Sequence, residues 1–224
     1  KAVNSDAGDK FGHTVSISGD TLAVGAPSED SNQTTITNGT TASSLNNDGD
    51  NGAVYVYKRS GSTWIQEAYI KSATTTGVDY FSMGLSLDNN TLVVGAPRED
   101  SNQTTITNGT SASSNDSSRD SGAVYVYKRT GTSWAQEAYI KASNNSEDDY
   151  FGVNVTLSGD TMAVGSSYED SNQTTITNGT SASSNDSNTN SGAVYVYKRT
   201  GTSWVQEAYI KAANNDSEDI FGGG

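Results

Sequence analysis

A repeat of constant length constrains this chain more than any other feature of its sequence. Phenylalanine stands at positions 11, 81, 151 and 221, a spacing of 70 residues with no insertion. The run Gly52–Arg59 also returns unchanged twice, at 122–129 and 192–199. The chain therefore contains three full units, at 11–80, 81–150 and 151–220, within a single segment that spans 1–224. Units of this kind are typical of folds in which each repeat packs only against its neighbours.

The residues of one unit predict four short β-strands and no helix. In the first unit, alternating apolar and polar side chains indicate strands at His13–Ser18 and Thr21–Gly25, joined by a tight turn. A β-branched and aromatic run predicts a third strand at Ala53–Lys58, and the fourth follows at Thr63–Lys71. No stretch shows the 3.6-residue apolar period of a helix.

Four antiparallel strands in tandem predict the blades of an all-β propeller. Each blade buries its two faces against the blades beside it. Closed propellers have about 4–8 blades, so three leave the ring open. The segment is then either open or closed by further blades or further copies, and each end blade exposes an apolar face for association.

Composition excludes several classes of function. The chain has 26 Asp+Glu against 13 Lys+Arg, a net charge of -13, which argues against a nucleic-acid partner. It contains no Cys and one His, so a thiolate metal site, a cysteine nucleophile and a histidine cluster are ruled out. No apolar run approaches the roughly 18 residues of a membrane span. No nucleophile motif or phosphate-binding loop occurs, so we expect no enzyme.

The motifs of each unit resemble the FG-GAP repeat, the blade unit of integrin α-subunit propellers. The matching residues are Phe11-Gly12, then Leu22–Pro27, then Gly52–Tyr57. The resemblance covers essentially the whole chain and implies a propeller, an extracellular or cell-surface location and a role in adhesion or ligand binding. Lys1 opens directly on polar sequence with no secretory signal, so an exported chain would be in its mature form.

One part of the family pattern is missing. The resemblance implies a calcium loop between the first two strands, but only two residues, Gly19-Asp20, occupy that place in the first unit. Two residues cannot surround a cation that takes 6–8 oxygen ligands. The family's calcium site is therefore not expected at this position.

The acidic residues concentrate instead in two connections, which the family's topology places at one end of the propeller. One joins the second and third strands, and the other leads to the next blade. Two interpretations stay open: a solvated acidic rim, or at least one Ca²⁺ bound by carboxylates of these loops. The candidate calcium ligands are Glu29, Asp30, Asp48, Asp50, Glu99, Asp100, Glu169 and Asp170.

The long connection carries the least varied sequence of the chain. Residues 29–40 recur without change at 99–110 and 169–180, whereas the first strands differ between units. Asn38-Gly39 between two β-prone runs predicts a small hairpin, with Ile36 as a single apolar tip. Three interpretations stay open for this loop: a flexible polar loop, a contact surface for a protomer or ligand, or a zone of glycan attachment.

Glycan attachment is suggested by Asn-x-Ser/Thr acceptors in and after this loop. The candidate residues are Asn32, Asn38, Asn102, Asn108, Asn115, Asn172, Asn178 and Asn185.

Two kinds of side chain outside the loop have simpler interpretations. The tryptophans Trp64, Trp134 and Trp204 are expected to pack between blades rather than to form a carbohydrate platform. The Lys58-Arg59 pair of each unit is expected to pair with Glu67 or its equivalents across the strands.

The sequence therefore predicts a non-catalytic surface or matrix protein that mediates adhesion or ligand binding through its long loops. A protein or glycan is the expected ligand. The alternative is a structural protomer that self-associates through its open blade faces and repeated loops into a ring or filament.

Overall fold

The computed structural model describes residues 1–44, 49–74 and 77–223, which form three antiparallel sheets of five strands each. No helix occurs within these ranges. The strands are β1 (Thr14–Ser18), β2 (Thr21–Ala26), β3 (Thr37–Asn38), β4 (Ala53–Ser60), β5 (Thr63–Ile70), β6 (Gly84–Asp88), β7 (Thr91–Ala96), β8 (Ile106–Asn108), β9 (Ala123–Thr130), β10 (Ser133–Ile140), β11 (Asn154–Ser158), β12 (Thr161–Ser166), β13 (Ile176–Asn178), β14 (Ala193–Thr200) and β15 (Ser203–Ile210).

The four predicted strands of each unit are confirmed, and they pair in the order β1-β2-β4-β5 in the first sheet. The chain reverses between β1 and β2 in two residues, because Ser18 pairs with Thr21. The same order recurs in the second and third sheets, so each unit of the sequence is one blade. The three blades do not close into a ring.

The long connection departs from the prediction, because it adds a fifth strand instead of folding on itself as a hairpin. Thr37 and Asn38 pair with Tyr69 and Ala68 of β5, on the outer side of the sheet. The amide of Gly39 also donates to the carbonyl of Glu67 at 2.6 Å. The edge of β5 would otherwise leave its backbone groups unpaired, so this edge attracts the β-prone run before Asn38-Gly39.

Consecutive blades stack face to face, and the core lies between them. The front face of a blade is here the face toward the preceding blade, and the back face is the one toward the following blade. Between the first two blades, the front face of the second contributes Leu87, Leu92 and Trp134, each no more than 5 % exposed. The back face of the first contributes Val54 and Ile70, both fully buried. A second core lies between the second and third blades, with Met162 at the position of Leu92.

Glycine permits a close approach between a blade and the linker that leaves it. Gly122 has a φ of +83°, and a Cβ atom built on it would lie 2.1 Å from the carbonyl oxygen of Phe151. Both the backbone conformation and the contact exclude a side chain here. This explains why the Gly-Ala that opens the third predicted strand returns in every unit.

Candidate assembly interface

A β-bulge in the hairpin formed by β4 and β5, and by their equivalents in the other blades, directs a side chain toward the next blade. In the first sheet Val56 pairs with Ala68 and Tyr57 with Gln66, so Glu67 has no partner residue on β4. A bulge of this kind re-aims a side chain locally. The carboxylate of Glu67 consequently reaches the second blade.

The resulting contact, here called the clamp, consists of Glu67 and Asn38 of one blade with Arg129 and Trp134 of the next. Arg129 donates from Nε and Nη2 to the two oxygens of Glu67, both at 2.6 Å. The indole Nε1 of Trp134 donates to Glu67 at 3.1 Å. Asn38 accepts from the backbone amide of Trp134 at 2.7 Å and donates to its carbonyl oxygen at 3.3 Å.

The negative charge of Glu67 is stabilised by the other residues of the clamp. Burial alone would raise the pKa of Glu67, but the hydrogen bonds from Arg129 and Trp134 and the charge of Arg129 lower it below its usual value. Bidentate pairing of a guanidinium with a carboxylate is also among the stronger hydrogen-bonded arrangements in proteins. The clamp thus adds a directional contact to the apolar stacking of the blades.

The clamp recurs between the second and third blades. Arg199 donates to Glu137 at 3.0 Å, and Trp204 donates to the same carboxylate from Nε1 at 3.0 Å. The backbone amide of Trp204 donates to Asn108 at 2.8 Å. The arginine of a unit therefore pairs with the glutamate of the preceding unit, so the expectation of pairing within one unit was wrong. The bulge is the cause, since it directs the glutamate out of its own sheet.

The first blade exposes the front half of a clamp. Trp64 is 38 % exposed, whereas Trp134 and Trp204 are 2 % and 1 % exposed. Arg59 already pairs with Asp20 at 2.5 Å, as Arg199 pairs with Asp160, but it faces no glutamate of a preceding blade. Ile17 is 62 % exposed, although Leu87 at the equivalent position is buried.

The third blade exposes the matching back half. Glu207 and Asn178, the equivalents of Glu67 and Asn38, are both exposed. Ile176 is 59 % exposed, whereas Ile36 and Ile106 pack against the cores between blades. The two open faces are consequently complementary, because the first blade presents a cation and an indole, and the third blade presents a carboxylate and an amide.

The long loop also holds a buried ion pair in each blade. In the second blade, Lys141 donates to Glu99 at 2.8 Å, and Tyr139 donates to the other carboxylate oxygen at 2.8 Å. Ser101 donates to the same glutamate from both its amide and its hydroxyl. Glu29 pairs with Lys71 at 2.7 Å and Glu169 with Lys211 at 2.6 Å in the other two blades. These contacts give the invariant loop a structural role.

The candidate calcium ligands do not come together among the described residues. The three glutamates are each at most 3 % exposed and are held by a lysine. Asp100 and Asp170 accept backbone amides, at 2.7 and 2.6 Å, and the backbone carbonyl of Asp50 accepts from Tyr80. Asp30 is half-buried, and Asp48 lies outside the described residues. No group of three or more acidic or histidine side chains in the described ranges has the spacing of a metal site.

The turn between β1 and β2 does not fit the family's calcium loop either. It holds two residues, and the carboxylate of Asp20 accepts from Nε of Arg59 at 2.7 Å. The carboxylate of Asp20 is therefore already paired with the guanidinium of Arg59.

Two aspartates of the linkers are also buried but, unlike the buried glutamates, form no ion pair with a lysine among the described residues. Asp79 and Asp149 are each 1 % exposed. Neither carboxylate oxygen of Asp79 has a hydrogen-bond partner among the described residues. Burial, and then the charges of nearby acidic residues including Glu99 and Asp100, raise the pKa of Asp79 to about 8. Burial likewise raises the pKa of Asp149 to about 8.

Replacing Asp79 by asparagine should stabilise the chain by about 1–3 kcal/mol at pH 9, the usual cost of an unsatisfied buried polar group. An unfolded aspartate titrates near 3.9, so the unfolded chain loses this proton first as the pH rises. Asp79 therefore lowers the unfolding free energy progressively between about pH 4 and about pH 8, and Asp79→Asn removes this contribution, whereas the variant retains the similar contribution of Asp149. Urea unfolding at pH 5, 7 and 9 measures the effect. Asp219→Asn, at the exposed equivalent position, is the control; equal pH profiles for D79N and the parent chain would contradict the prediction.

The glycosylation candidates all lie at exposed positions, but they differ in what their side chains do. Asn38 and Asn108 are engaged in clamps. Asn115 accepts from the amide and the hydroxyl of Ser117. Asn32, Asn102 and Asn172 each follow the serine that donates to the buried glutamate of the loop. The prediction of glycans on these residues stays a prediction.

Repeated antiparallel blades with clamps at their seams define a propeller-type repeat protein. The model of the FG-GAP repeat matches residues 1–57, 64–127 and 134–181, more than half of the chain. The chain therefore belongs to the FG-GAP repeat family, as its motifs indicated. No curated protein was found to match the sequence. The described part of the chain contains no helix with the length and apolar character needed to cross a membrane.

The clamp could not be identified from the sequence alone. The sequence showed a repeated arginine, a repeated tryptophan and an invariant loop ending in Asn-Gly, but not that these belong to different blades. The strongest signal was the identity of 29–40 in all three units. In all three units the glutamate of this loop pairs with a buried lysine of its own blade, and in the first two units the asparagine also contacts the next blade.

Proposed function

We propose that this chain is a non-catalytic structural protomer that assembles with further copies through its two open blade faces. One observation carries the proposal: the front face of the first blade and the back face of the third blade each expose one half of a clamp, and the two halves match. Arg59 and Trp64 of one copy would meet Glu207 and Asn178 of another, as Arg129 and Trp134 meet Glu67 and Asn38 within the chain.

Such a contact is heterologous, because two different surfaces of the same chain meet. Heterologous contacts produce rings when the rotation closes and filaments when it does not. Two copies together hold six blades, within the range of about 4–8 found in closed propellers. A closed dimer and an open filament are therefore the two forms that this proposal includes.

Glu207→Arg tests the proposal, because it places a cation opposite Arg59 of the neighbouring copy. We expect the parent chain to form dimers or larger species in sedimentation velocity as concentration rises, and Glu207→Arg to dissociate them. Glu147→Arg makes the same charge change at an exposed position of a linker, outside the clamps, and should have no effect on association. The double variant Arg59→Glu/Glu207→Arg should recover association. A parent chain that stays monomeric throughout would refute assembly.

Adhesion at an extracellular surface is the second candidate. The observation that favours it is the repetition of one exposed polar segment, Thr34-Thr35 and its equivalents, at the same place in all three blades. Three identical sites on one chain suit multivalent attachment to a protein or glycan. Binding of the labelled chain to cell-surface or matrix preparations tests this candidate, with Thr34→Ala/Thr35→Ala as the variant.

Calcium belongs to this second candidate as a prediction at the acidic end of the blades. Titration of the chain with Ca²⁺ in a calorimeter tests it directly. If adhesion persists in the presence of a chelator, calcium is not required for it. The proposal of assembly would not be changed by that result.

A further inference from the structure

We infer that each of the two seams between blades contains a cleft that binds one unit of a neutral sugar. This inference rests on the adhesion candidate of the proposed function, and it adds the place and the chemical class of the ligand. The first cleft lies between the first two blades and has a volume of about 280 Å³. The second cleft lies between the second and third blades and has a volume of about 270 Å³.

The two clefts are built from equivalent residues of the repeat. The side chains that line the first cleft come from the long loop of the first blade and from the front face of the second, and they include Thr34, Thr35, Ile36, Tyr127, Trp134 and Gln136. The six residues 70 positions later in the sequence line the second cleft. A cleft with the same lining at both seams is a property of the repeat rather than of one irregular contact.

The two threonines of the long loop take part in neither the clamp nor the buried ion pair. Thr34 and Thr35 are exposed, and neither hydroxyl makes a hydrogen bond within the described part of the chain. Gln33 fixes the backbone beside them, since its side chain donates to the carbonyl of Thr35 and to the hydroxyl of Thr37, both at 2.8 Å. The loop thus holds two unbonded hydroxyls in a defined place at the first cleft.

This threonine pair nevertheless recurs in every unit. Thr34-Thr35 returns at 104–105 and at 174–175, whereas Thr41, a few residues later, is replaced by serine in both of the other units. Substitutions at exposed positions without structural contacts usually change stability little. Stability therefore does not account for the recurrence of the pair, and a ligand at the cleft does.

The clefts offer hydrogen bonds and apolar surface but no free charge. Lys71 also lines the first cleft, but its ammonium is fully buried and pairs with Glu29 at 2.7 Å. The remaining polar groups are hydroxyls and an amide, and a hydroxyl can both donate and accept a hydrogen bond. Ile36 and Trp134 supply apolar surface beside them. Apolar walls with a few polar groups suit a sugar, which carries hydroxyls around a ring of carbon atoms.

The second cleft also carries an unsatisfied polar group. The hydroxyl of Tyr127 donates to the carbonyl of Lys71 at 3.3 Å at the first seam. The hydroxyl of Tyr197, at the equivalent position, has no hydrogen-bond partner among the described residues, although this tyrosine is only 1 % exposed. Buried polar groups in proteins nearly always have a partner. An unsatisfied hydroxyl in the lining of a cleft favours a polar ligand over an apolar one.

Charge and size narrow the class of ligand further. The net charge of -13 repels acidic glycans, which leaves neutral sugars as the favoured ligands. Each cleft is close to the lower limit of small-molecule sites, roughly 300 Å³. A protein partner would need a contact of about 1,000 Å² or more, which a cleft of this size does not offer. Two equal clefts on one chain also suit multivalent attachment to a glycan-bearing surface.

Titration of the full chain followed by nuclear magnetic resonance tests the inference, because each cleft is lined by one tryptophan with its own indole N–H signal. The neutral probes are N-acetylglucosamine, galactose and mannose, and glucuronic acid is the anionic comparison. At least one neutral sugar should shift the signals of Trp134 and Trp204 in a saturable manner. The signal of Trp64, which lines neither cleft, should not shift, and glucuronic acid should bind several-fold more weakly.

Two pairs of substitutions separate the clefts within one molecule. Thr34→Val/Thr35→Val preserves the shape of the side chains and removes both hydroxyls. It should weaken binding at Trp134 about tenfold, the value of one or two hydrogen bonds, and leave binding at Trp204 unchanged. Thr104→Val/Thr105→Val should have the reverse effect. Thr174→Val/Thr175→Val, at equivalent positions that line neither cleft, is the control. Circular dichroism verifies that each variant is folded.

Saturable shifts at both tryptophans that weaken in the matching variants would support the inference. It would be overturned by the absence of a shift with every sugar, by a response at one tryptophan alone, by shifts that both threonine variants retain, or by glucuronic acid binding as tightly as the best neutral sugar. If the chain still adheres to cell-surface or matrix preparations in such a case, adhesion stands with another ligand. Absence of both sugar binding and adhesion would overturn the adhesion candidate as well.

Discussion

Replacing Glu99 by alanine should lower the free energy of unfolding by about 3–5 kcal/mol, the usual cost of removing one partner of a buried ion pair. The ammonium of Lys141 has no exposed surface and would lose its counter-charge. Tyr139 and Ser101 would lose an acceptor at the same time. Urea unfolding followed by tryptophan fluorescence measures the loss.

The loss of unfolding free energy caused by Glu99→Ala should become smaller as the pH rises. Burial lowers the pKa of Lys141 even in the parent chain, where Glu99 opposes that effect. Without the glutamate, the folded chain holds this proton less tightly than the unfolded chain, so stability of the variant increases with pH. Glu147→Ala, at an exposed site, should change stability by less than about 0.5 kcal/mol. A Glu99→Ala variant that is as stable as Glu147→Ala would show that the ion pair contributes nothing to the fold.

Replacing Trp134 by alanine should cost about 3–5 kcal/mol, the range for deleting a buried tryptophan side chain. Its indole fills the seam between the first two blades and donates to Glu67. The repeat provides a matched control, because Trp64 occupies the same position in a blade with an open front face and is 38 % exposed. Trp64→Ala should cost clearly less than Trp134→Ala in the monomer.

This comparison also connects stability with assembly. At concentrations where the chain is monomeric, Trp64→Ala and Trp134→Ala should lower the free energy of unfolding by different amounts. In the assembled form the neighbouring copy buries Trp64, so the two losses of free energy should become more similar. Equal costs for Trp64→Ala and Trp134→Ala at low concentration would contradict the role of the clamp. A stability of Trp64→Ala that does not depend on concentration would count against blade-to-blade assembly.

The blades and their clamps together explain the internal variation of the sequence. The apolar positions of the first strands vary among units, with Ile17 replaced by Leu87 and Leu157, because apolar side chains of similar volume can replace one another. Within residues 29–40, two side chains have specific partners, because Glu29 pairs with the buried Lys71 and Asn38 accepts from the amide of Trp134 in the clamp. These specific contacts agree with the interpretation of the loop as a contact surface. They agree less well with its interpretation as a flexible polar loop.

Much of the fold was predictable because strand pairing leaves local signals. The apolar alternation of Val15 and Ile17, the two-residue turn before Thr21 and the β-branched run after Ala53 each act over a few residues. The fifth strand was less accessible, because Thr37 and Asn38 become a strand only when the free edge of β5 is beside them. Asn-Gly favours a hairpin locally, and a tertiary pairing overrode that preference.

The sequence by itself determined the number of units, four of the five strands in each, the family and the stacking of blades, because periodicity and alternation are properties of neighbouring residues. Only the tertiary structure decided which residues of different units meet. Glu67 contacts Arg129 because a bulge turns it out of its own sheet, and Glu99 is buried because Lys141 returns beside it from the end of β10. Contacts between residues this far apart depend on the packing of whole sheets, which no local pattern encodes.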